Sequence, residues 1–338
     1  MKQPIVHEAD FIDRFLHHIA FRDQLLEDID KGCSPLNAEG LRREVLLKLA
    51  ASRGAVLGRD FSSRRLLVGI VLGMWRESRR IRPNSPTNPV GENCLLEKAK
   101  ALDWLFKGTD IAWKIYAVDD DCPEESYLVA EEVVANTPYR EKIRVLRLSA
   151  GHPYSSLPLA RLTSPSASTK GGALALGATV ALADRCDVVG FTDCDNSVHL
   201  AQLGLLLAPL LTAERDAVFG DRRLFSSSTF WHPGRATGKN GALVLLHLRR
   251  MILIDRLPIA DATSPLKLFS SKYLSSTLAE ITNFTFHFDY DLSVLALKHQ
   301  ANCDNVPYIF LDSFEETSWT HIGDERIFFE AISAHTKY

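Results

Sequence analysis

The sequence predicts an α/β protein: a central, mostly parallel sheet with helices on both faces, preceded by an N-terminal helical extension. Apolar runs of strand length rich in branched residues (66–72, 111–118, 143–148, 188–192) alternate with helix-length stretches from residue 64 onward. That alternation indicates a parallel sheet covered on both sides. Two of the runs end in acidic clusters, where an open sheet presents its carboxyl edge to a ligand. The 338-residue chain is 46% hydrophobic, enough to bury a large core.

Residues 1–60 read as helical. Phe11, Phe15, Ile19, Leu25 and Ile29 suggest one apolar stripe, and 41–51 is a second strong helix former beyond Pro35-Leu36-Asn37. No chemical motif occurs there. A buried strand is expected at 66–72, a helix at 95–106, and a strand at 111–118 that ends in Asp119-Asp120-Asp121. A helix at 125–135 and a strand at 143–148 follow. Residues 150–169, rich in Ser and Pro and without period, read as a long surface loop. Beyond it come a helix at 172–183, strands at 188–192 and 217–220, and a polar stretch from Asp261 that leads into a helix near Phe269. A last apolar helix opens at Asp289 and Asp291.

Composition excludes several classes. The formal net charge is -3, and Lys and Arg are spread along the chain. Nucleic acid is therefore not the expected partner, because a phosphate backbone demands a concentrated basic face. The 6 cysteines form no CxxC pair, so neither a zinc site nor a disulfide framework is expected. The N-terminal segment lacks the apolar core of a signal peptide. Runs 66–75 and 203–211 are too short to span a bilayer, and Arg249 and Arg250 interrupt 242–254. No transmembrane segment and a cytoplasmic location are expected.

The central motif is Asp193-Cys194-Asp195, immediately after an apolar strand. Two carboxylates at that edge suit Mg²⁺ or Mn²⁺, which takes one or two protein carboxylates plus substrate phosphates. The competing explanation is an acidic turn capping a helix. Asp119-Asp120-Asp121 forms a second acidic corner, able to accept hydrogen bonds from a nucleobase or ribose. Lys170-Gly171-Gly172 opens a helix, a place where an anion such as a diphosphate is favoured. Asp221-Arg222-Arg223 and the Asp261 to Lys267 stretch follow. Asp289 and Asp291 lie in a helix's first turn, where capping competes with function. Their spacing puts only one of them on the site side.

Taken in order, these segments resemble the family 2 glycosyltransferases, and most of all their dolichyl-phosphate mannose and glucose synthase branch. The resemblance rests on RRLLVGIVLGMWRE, YAVDDDCPEES, TKGGALALGATVALADRCDVVGFTDCDNSVH, AVFGDRR, DATSPLKLFSSKYL and FHFDYDLSVLAL, over about residues 64–315. It implies the glycosyltransferase A-type (GT-A) fold, a UDP- or GDP-sugar donor and Mg²⁺ or Mn²⁺. It implies an N-terminal helical extension over 1–62 and a GT-A domain over 63–338, with a nucleotide-sugar half (63–200) and an acceptor half (201–338). Gly73, Trp75 and Glu77 stand where the family has a Pro-x-x-Asn-Glu turn. Asp119 and Asp120 would contact the nucleoside, Lys170 the donor, and Asp193 and Asp195 the metal and diphosphate. Arg222 and Lys267 would bind an acceptor or phosphate, and Asp261, Asp289 or Asp291 would act as catalytic base. Pro265 replaces an expected glycine, and the 150–169 loop is longer than the family's link.

The family implies inversion by direct displacement; a retaining A-type enzyme acting on a small acid stays open. A lipid-phosphate acceptor would need only cations such as Arg222, Arg223 and Lys267 to hold it. A hydroxyl on a small molecule or glycan would need a general base, and the lack of a lipid anchor favours the hydroxyl. A sugar-phosphate nucleotidyltransferase and a non-catalytic nucleotide-sugar binder are the alternatives.

Overall fold

A computed structural model describes residues 6–57, 65–222, 228–230, 259, 261–286 and 288–311. Arg223, the 242–254 run and residues 312–338 lie outside them. Three helices come first: α1 (Val6–His17), α2 (Ile19–Asp30) and α3 (Gly40–Leu57). The apolar stripe read over Phe11, Phe15, Ile19, Leu25 and Ile29 spans two helices, with a break at His18, whose backbone is extended (φ -108, ψ 107). Phe15 and Leu16 on one side of this break, and Leu25 and Leu26 on the other, are buried together.

The main sheet begins with four parallel strands: β1 (Leu66–Met74), β2 (Ile111–Asp119), β3 (Ile143–Arg147) and β4 (Val188–Phe191). Further strands are β5 (Ala217–Asp221), β6 (Ser228–Phe230), β7 (Lys267–Ser270), β8 (Cys303–Pro307) and β9 (Ile309–Leu311). The order is β3-β2-β1-β4-β7-β5-β8, with β6 and β9 paired separately. β7 runs antiparallel to both β4 and β5, while β5 and β8 are parallel.

β7 corrects the expectation that 261–269 leads straight into a helix. A gap between β4 and β5 would leave two rows of buried backbone N–H and C=O groups unpaired. Four residues close it, with Leu268 opposite both Gly190 and Val218. The helix begins one residue later, as α9 (Ser271–Thr277).

The remaining helices are α4 (Ser78–Ile81), α5 (Cys94–Phe106), α6 (Ser126–Ala135), α7 (Gly171–Ala183), α8 (Gly204–Thr212) and α10 (Phe288–Lys298). Alternation along β1 sorts them into two layers. Leu66, Val68, Ile70, Leu72 and Met74 join a core with α1–α3, α5 and α8. Val71 points the other way, into a core with α7, α9 and α10. The N-terminal helices therefore share a core with the sheet. The stretch 150–169, expected as a long surface loop, opens within one 3-10 turn (Leu148–Gly151), contains two more (Leu159–Arg161 and Pro165–Ala167) and buries Leu159 and Leu162. Among the described residues no helix is long and apolar enough to cross a membrane.

Candidate active site

Strand register sets the positions of the functional side chains. Met74 and Asp119 pair at one part of the carboxyl edge, and Phe191 pairs with Lys267 at another. Because β7 is antiparallel, it is its first residue that stands at this edge. Asp193 lies two residues beyond Phe191, and the head of α7 brings Lys170 across to it.

The Lys170 Nζ donates to Asp193 Oδ1 at 2.7 Å and lies 3.8 Å from Asp289 Oδ2. On the other side of Asp289, Lys267 Nζ donates to Oδ1 at 2.8 Å. Four separated segments thus build an alternating row, Asp193–Lys170–Asp289–Lys267. It runs from the rim, where the Asp193 side chain is 38% exposed, into the interior, where Lys267 is 1% exposed. Burial works against ionising Asp193, yet Lys170, Lys267 and Arg222 outweigh it and hold the carboxyl below its usual range. Burial likewise opposes the Lys170 ammonium, but Asp193 and Asp289 raise its pKa above the ordinary lysine value.

Asp193 and Asp195 fit a hard divalent cation that completes its shell from a substrate. Asp193 spends Oδ1 on Lys170, and Asp195 spends Oδ1 on the Ser197 amide at 3.1 Å. The second oxygen of each makes no hydrogen bond among the described residues, and both side chains are partly exposed. No group of three or more His, Cys, Asp or Glu side chains able to hold a metal exists among the described residues. Two carboxylates plus diphosphate oxygens match the habit of Mg²⁺ and Mn²⁺.

Several residues singled out in the sequence are engaged elsewhere. Both oxygens of Asp119 accept backbone amides, from Cys122 and Tyr127 at 2.8 Å each, fixing the entry to α6. Asp120 accepts Ser168 Oγ and the Lys170 amide, each at 2.5 Å. Its burial pushes the pKa up to about 6 against those hydrogen bonds. Asp121 receives Arg147 Nε at 3.0 Å and Ser149 Oγ at 2.6 Å. The three adjacent carboxylates thus tie down three segments of chain.

Fully buried Asp261 holds Arg222 in a bidentate pair, at 2.7 Å to Nε and 3.0 Å to Nη2. Asp291 accepts the Thr282 and Asn283 amides at 2.9 Å. Of the three carboxylates considered as bases, only Asp289 stands in the charge row. Gly73 lies within β1, Trp75 is exposed just beyond it, and Glu77 pairs with Arg80 at 3.0 Å. Burial raises the Glu77 pKa, with Arg80 opposing and Asp195 and Asp193 adding to the rise.

The glycines after Lys170 admit the protein's own chain. A Cβ on Gly171 would sit 2.5 Å from the Phe284 carbonyl carbon, and one on Gly172 would sit 2.6 Å from Ser168 Oγ. Gly171→Ala is therefore expected to lower unfolding stability by about 1–3 kcal/mol, the usual range for forced overpacking. Chemical denaturation measures this, and a loss near zero would mean the 284 backbone yields freely.

Sequence reasoning missed the support beneath Asp193 and Asp195. Lys98 Nζ donates to the Asp195 carbonyl at 2.6 Å. The Glu92 carboxylate accepts the Asn196 amide at 2.6 Å and lies 3.4 Å from Arg80 Nε. Arg22, from α2, reaches Glu97 at 2.9 Å, the Glu92 carbonyl at 3.1 Å and the Leu16 carbonyl at 2.7 Å. One signal was available for Arg22. It lies seven residues after Phe15 and four before Leu26, a charge on the apolar stripe.

Burial and Asp195 push Glu92 up to about 8 from 4.5, against the pull of Arg80. A carboxyl raised in the folded state stabilises fully below its unfolded value, and that contribution is lost as pH climbs toward the folded one. Wild-type Tm is therefore expected to fall relative to Glu92→Gln between pH 4.5 and 8 and to run parallel above. Thermal melts across that range test it; a constant difference would count against a neutral buried Glu92.

The chain matches no family model and no curated protein. Among solved structures it is similar to glucosyl-3-phosphoglycerate synthase from Mycobacterium tuberculosis in complex with phosphoglyceric acid. That likeness has a TM-score of 0.53 and 16% identity, covering 85% of this chain and 83% of that one. The same enzyme with Mn²⁺, UDP-glucose and phosphoglyceric acid gives a TM-score of 0.51 at 16% identity and the same coverage. The likeness establishes the GT-A fold expected from the sequence.

Proposed function

We propose that this chain is a metal-dependent glycosyltransferase that takes a UDP-sugar, with UDP-glucose the first candidate, and glycosylates a small phosphorylated acid. The observation that carries the reading is the partly exposed Asp193/Asp195 pair at the carboxyl edge of a GT-A sheet, with Lys170 beside it. Uracil, glucose and a phosphoglycerate-like acceptor are drawn from the ligands of the synthase complex. Such an acceptor offers both a hydroxyl and charge, and it suits this chain better than the lipid phosphate of the dolichyl branch.

Bound at Asp193 and Asp195, the divalent ion would neutralise charge on the departing nucleoside diphosphate. Lys170 would add an ammonium on the donor side. Asp289, held by Lys267 and with Lys170 3.8 Å away, would accept a hydrogen bond or proton from the acceptor hydroxyl. Lys267 is buried and Arg222 is paired with Asp261, so these two act by holding carboxylates in place. Trp75, exposed beyond β1, offers a face on which a nucleobase can stack.

Incubation with Mn²⁺ and UDP-glucose, with and without 3-phosphoglycerate, tests the reading. Release of UDP that depends on metal and increases with acceptor is expected. Pyrophosphate release from UTP and glucose 1-phosphate would instead indicate a nucleotidyltransferase. Binding of UDP-glucose without turnover, across a panel of phosphorylated and unphosphorylated acceptors, would indicate a binder.

A further inference from the structure

We propose that Lys170 is a built-in counter-cation that holds Asp193 when no divalent ion is bound and releases it when ion and nucleoside diphosphate bind together. This rests on the donor-site reading above and adds the coupling of the two ligands.

Two cations would compete for one carboxylate. The Lys170 Nζ lies 2.7 Å from Asp193 Oδ1, the same group that is to bind the metal. An ion arriving alone must displace this ammonium or sit beside it, and like charges so close repel. The side chain has an alternative partner at hand, since Asp289 Oδ2 is 3.8 Å away. Asp289 is held in turn by Lys267 at 2.8 Å, so that second position is itself fixed.

The backbone of Lys170 does not need to move. Its amide is bonded to Asp120 at 2.5 Å, and its carbonyl accepts the Leu174 amide at 3.1 Å in the first turn of α7. Only the flexible four-carbon stem has to swing. A nucleoside diphosphate brings anionic oxygens that can take the released ammonium, so it lowers the electrostatic barrier to the ion. By linkage the ion then strengthens the nucleotide by the same factor. Lys170 thus makes metal and donor mutually dependent, and it disfavours a metal bound without substrate.

The test is Mn²⁺ binding to the full chain, followed by the electron paramagnetic resonance signal of free Mn²⁺, with and without saturating UDP. Wild-type protein is expected to bind Mn²⁺ weakly alone and more tightly with UDP. Lys170→Met is expected to bind Mn²⁺ alone about tenfold more tightly, with a smaller gain from UDP. Lys170→Arg, which keeps the charge, is expected to behave like wild type and shows that substitution itself does not open the site. Unchanged or weaker Mn²⁺ binding by a folded Lys170→Met protein overturns the proposal. If wild type binds no Mn²⁺ even with UDP, the donor-site reading falls and this inference falls with it.

Discussion

Asp195→Asn is expected to lower metal-dependent UDP release from UDP-glucose by a factor on the order of a hundred to a thousand, with folding unchanged. The carboxylate loses charge, while the amide oxygen can still accept the Ser197 amide and the Lys98 contact goes to the backbone carbonyl. The turn therefore keeps its anchors, and the loss reports on the ion. Turnover is measured across a Mn²⁺ titration alongside a thermal melt. Wild-type turnover in the variant with metal still required would remove Asp195 from the site.

Arg22→Met is expected to produce the largest loss of stability, about 3–5 kcal/mol. Removing one partner leaves the buried Glu97 carboxylate with only Lys100 at 3.2 Å and Asn93 at 3.5 Å, and takes from the Phe15, Leu16 and Glu92 carbonyls the guanidinium donor they share. Arg22 is 1% exposed, so water cannot substitute for it. A Tm lower by roughly 5–15 °C is expected from that free energy. Arg22→Met combined with Glu97→Met is expected to recover only part of the loss, because the Phe15 carbonyl still lacks its guanidinium donor and the Glu92 and Leu16 carbonyls keep only Asn196. Full recovery would confine the role of Arg22 to its ion pair. UDP-glucose affinity is expected to weaken in the single variant, since Glu92 also holds the Asn196 amide next to Asp195.

The parallel half of the sheet was legible because its central strands β1 and β4 are buried on both faces and read as unbroken apolar runs, while β2 and β3 keep apolar residues between single charges. Asp193 and Asp195 were legible for a related reason: the run stops at Thr192 and a charge follows at once. The acidic corner at Asp119–Asp121 was equally visible, but its partners were not. Those of Asp119 lie close by, at residues 122 and 127, but those of Asp120 and Asp121 come from residues 147, 149, 168 and 170, and local periodicity carries no information about contacts at such separations. β7 was missed because four residues preceded by Pro265 are too short to show a period. The Arg80, Glu92 and Lys98 support escaped for the same reason as the acidic corner's partners, since Lys98 meets Asp195 across almost a third of the sequence. Charge complementarity between distant segments appears only after folding.

The bidentate pair between Arg222 and Asp261 ties the residue after β5 to the segment that leads into β7. Phe219 stands opposite Lys267 in the register that this pair helps to keep, and Lys267 holds Asp289. An ion pair outside the charge row is thus a clamp that keeps two strands in step. A slip of β7 against β5 by one residue would turn Lys267 to the other face of the sheet and unseat Asp289.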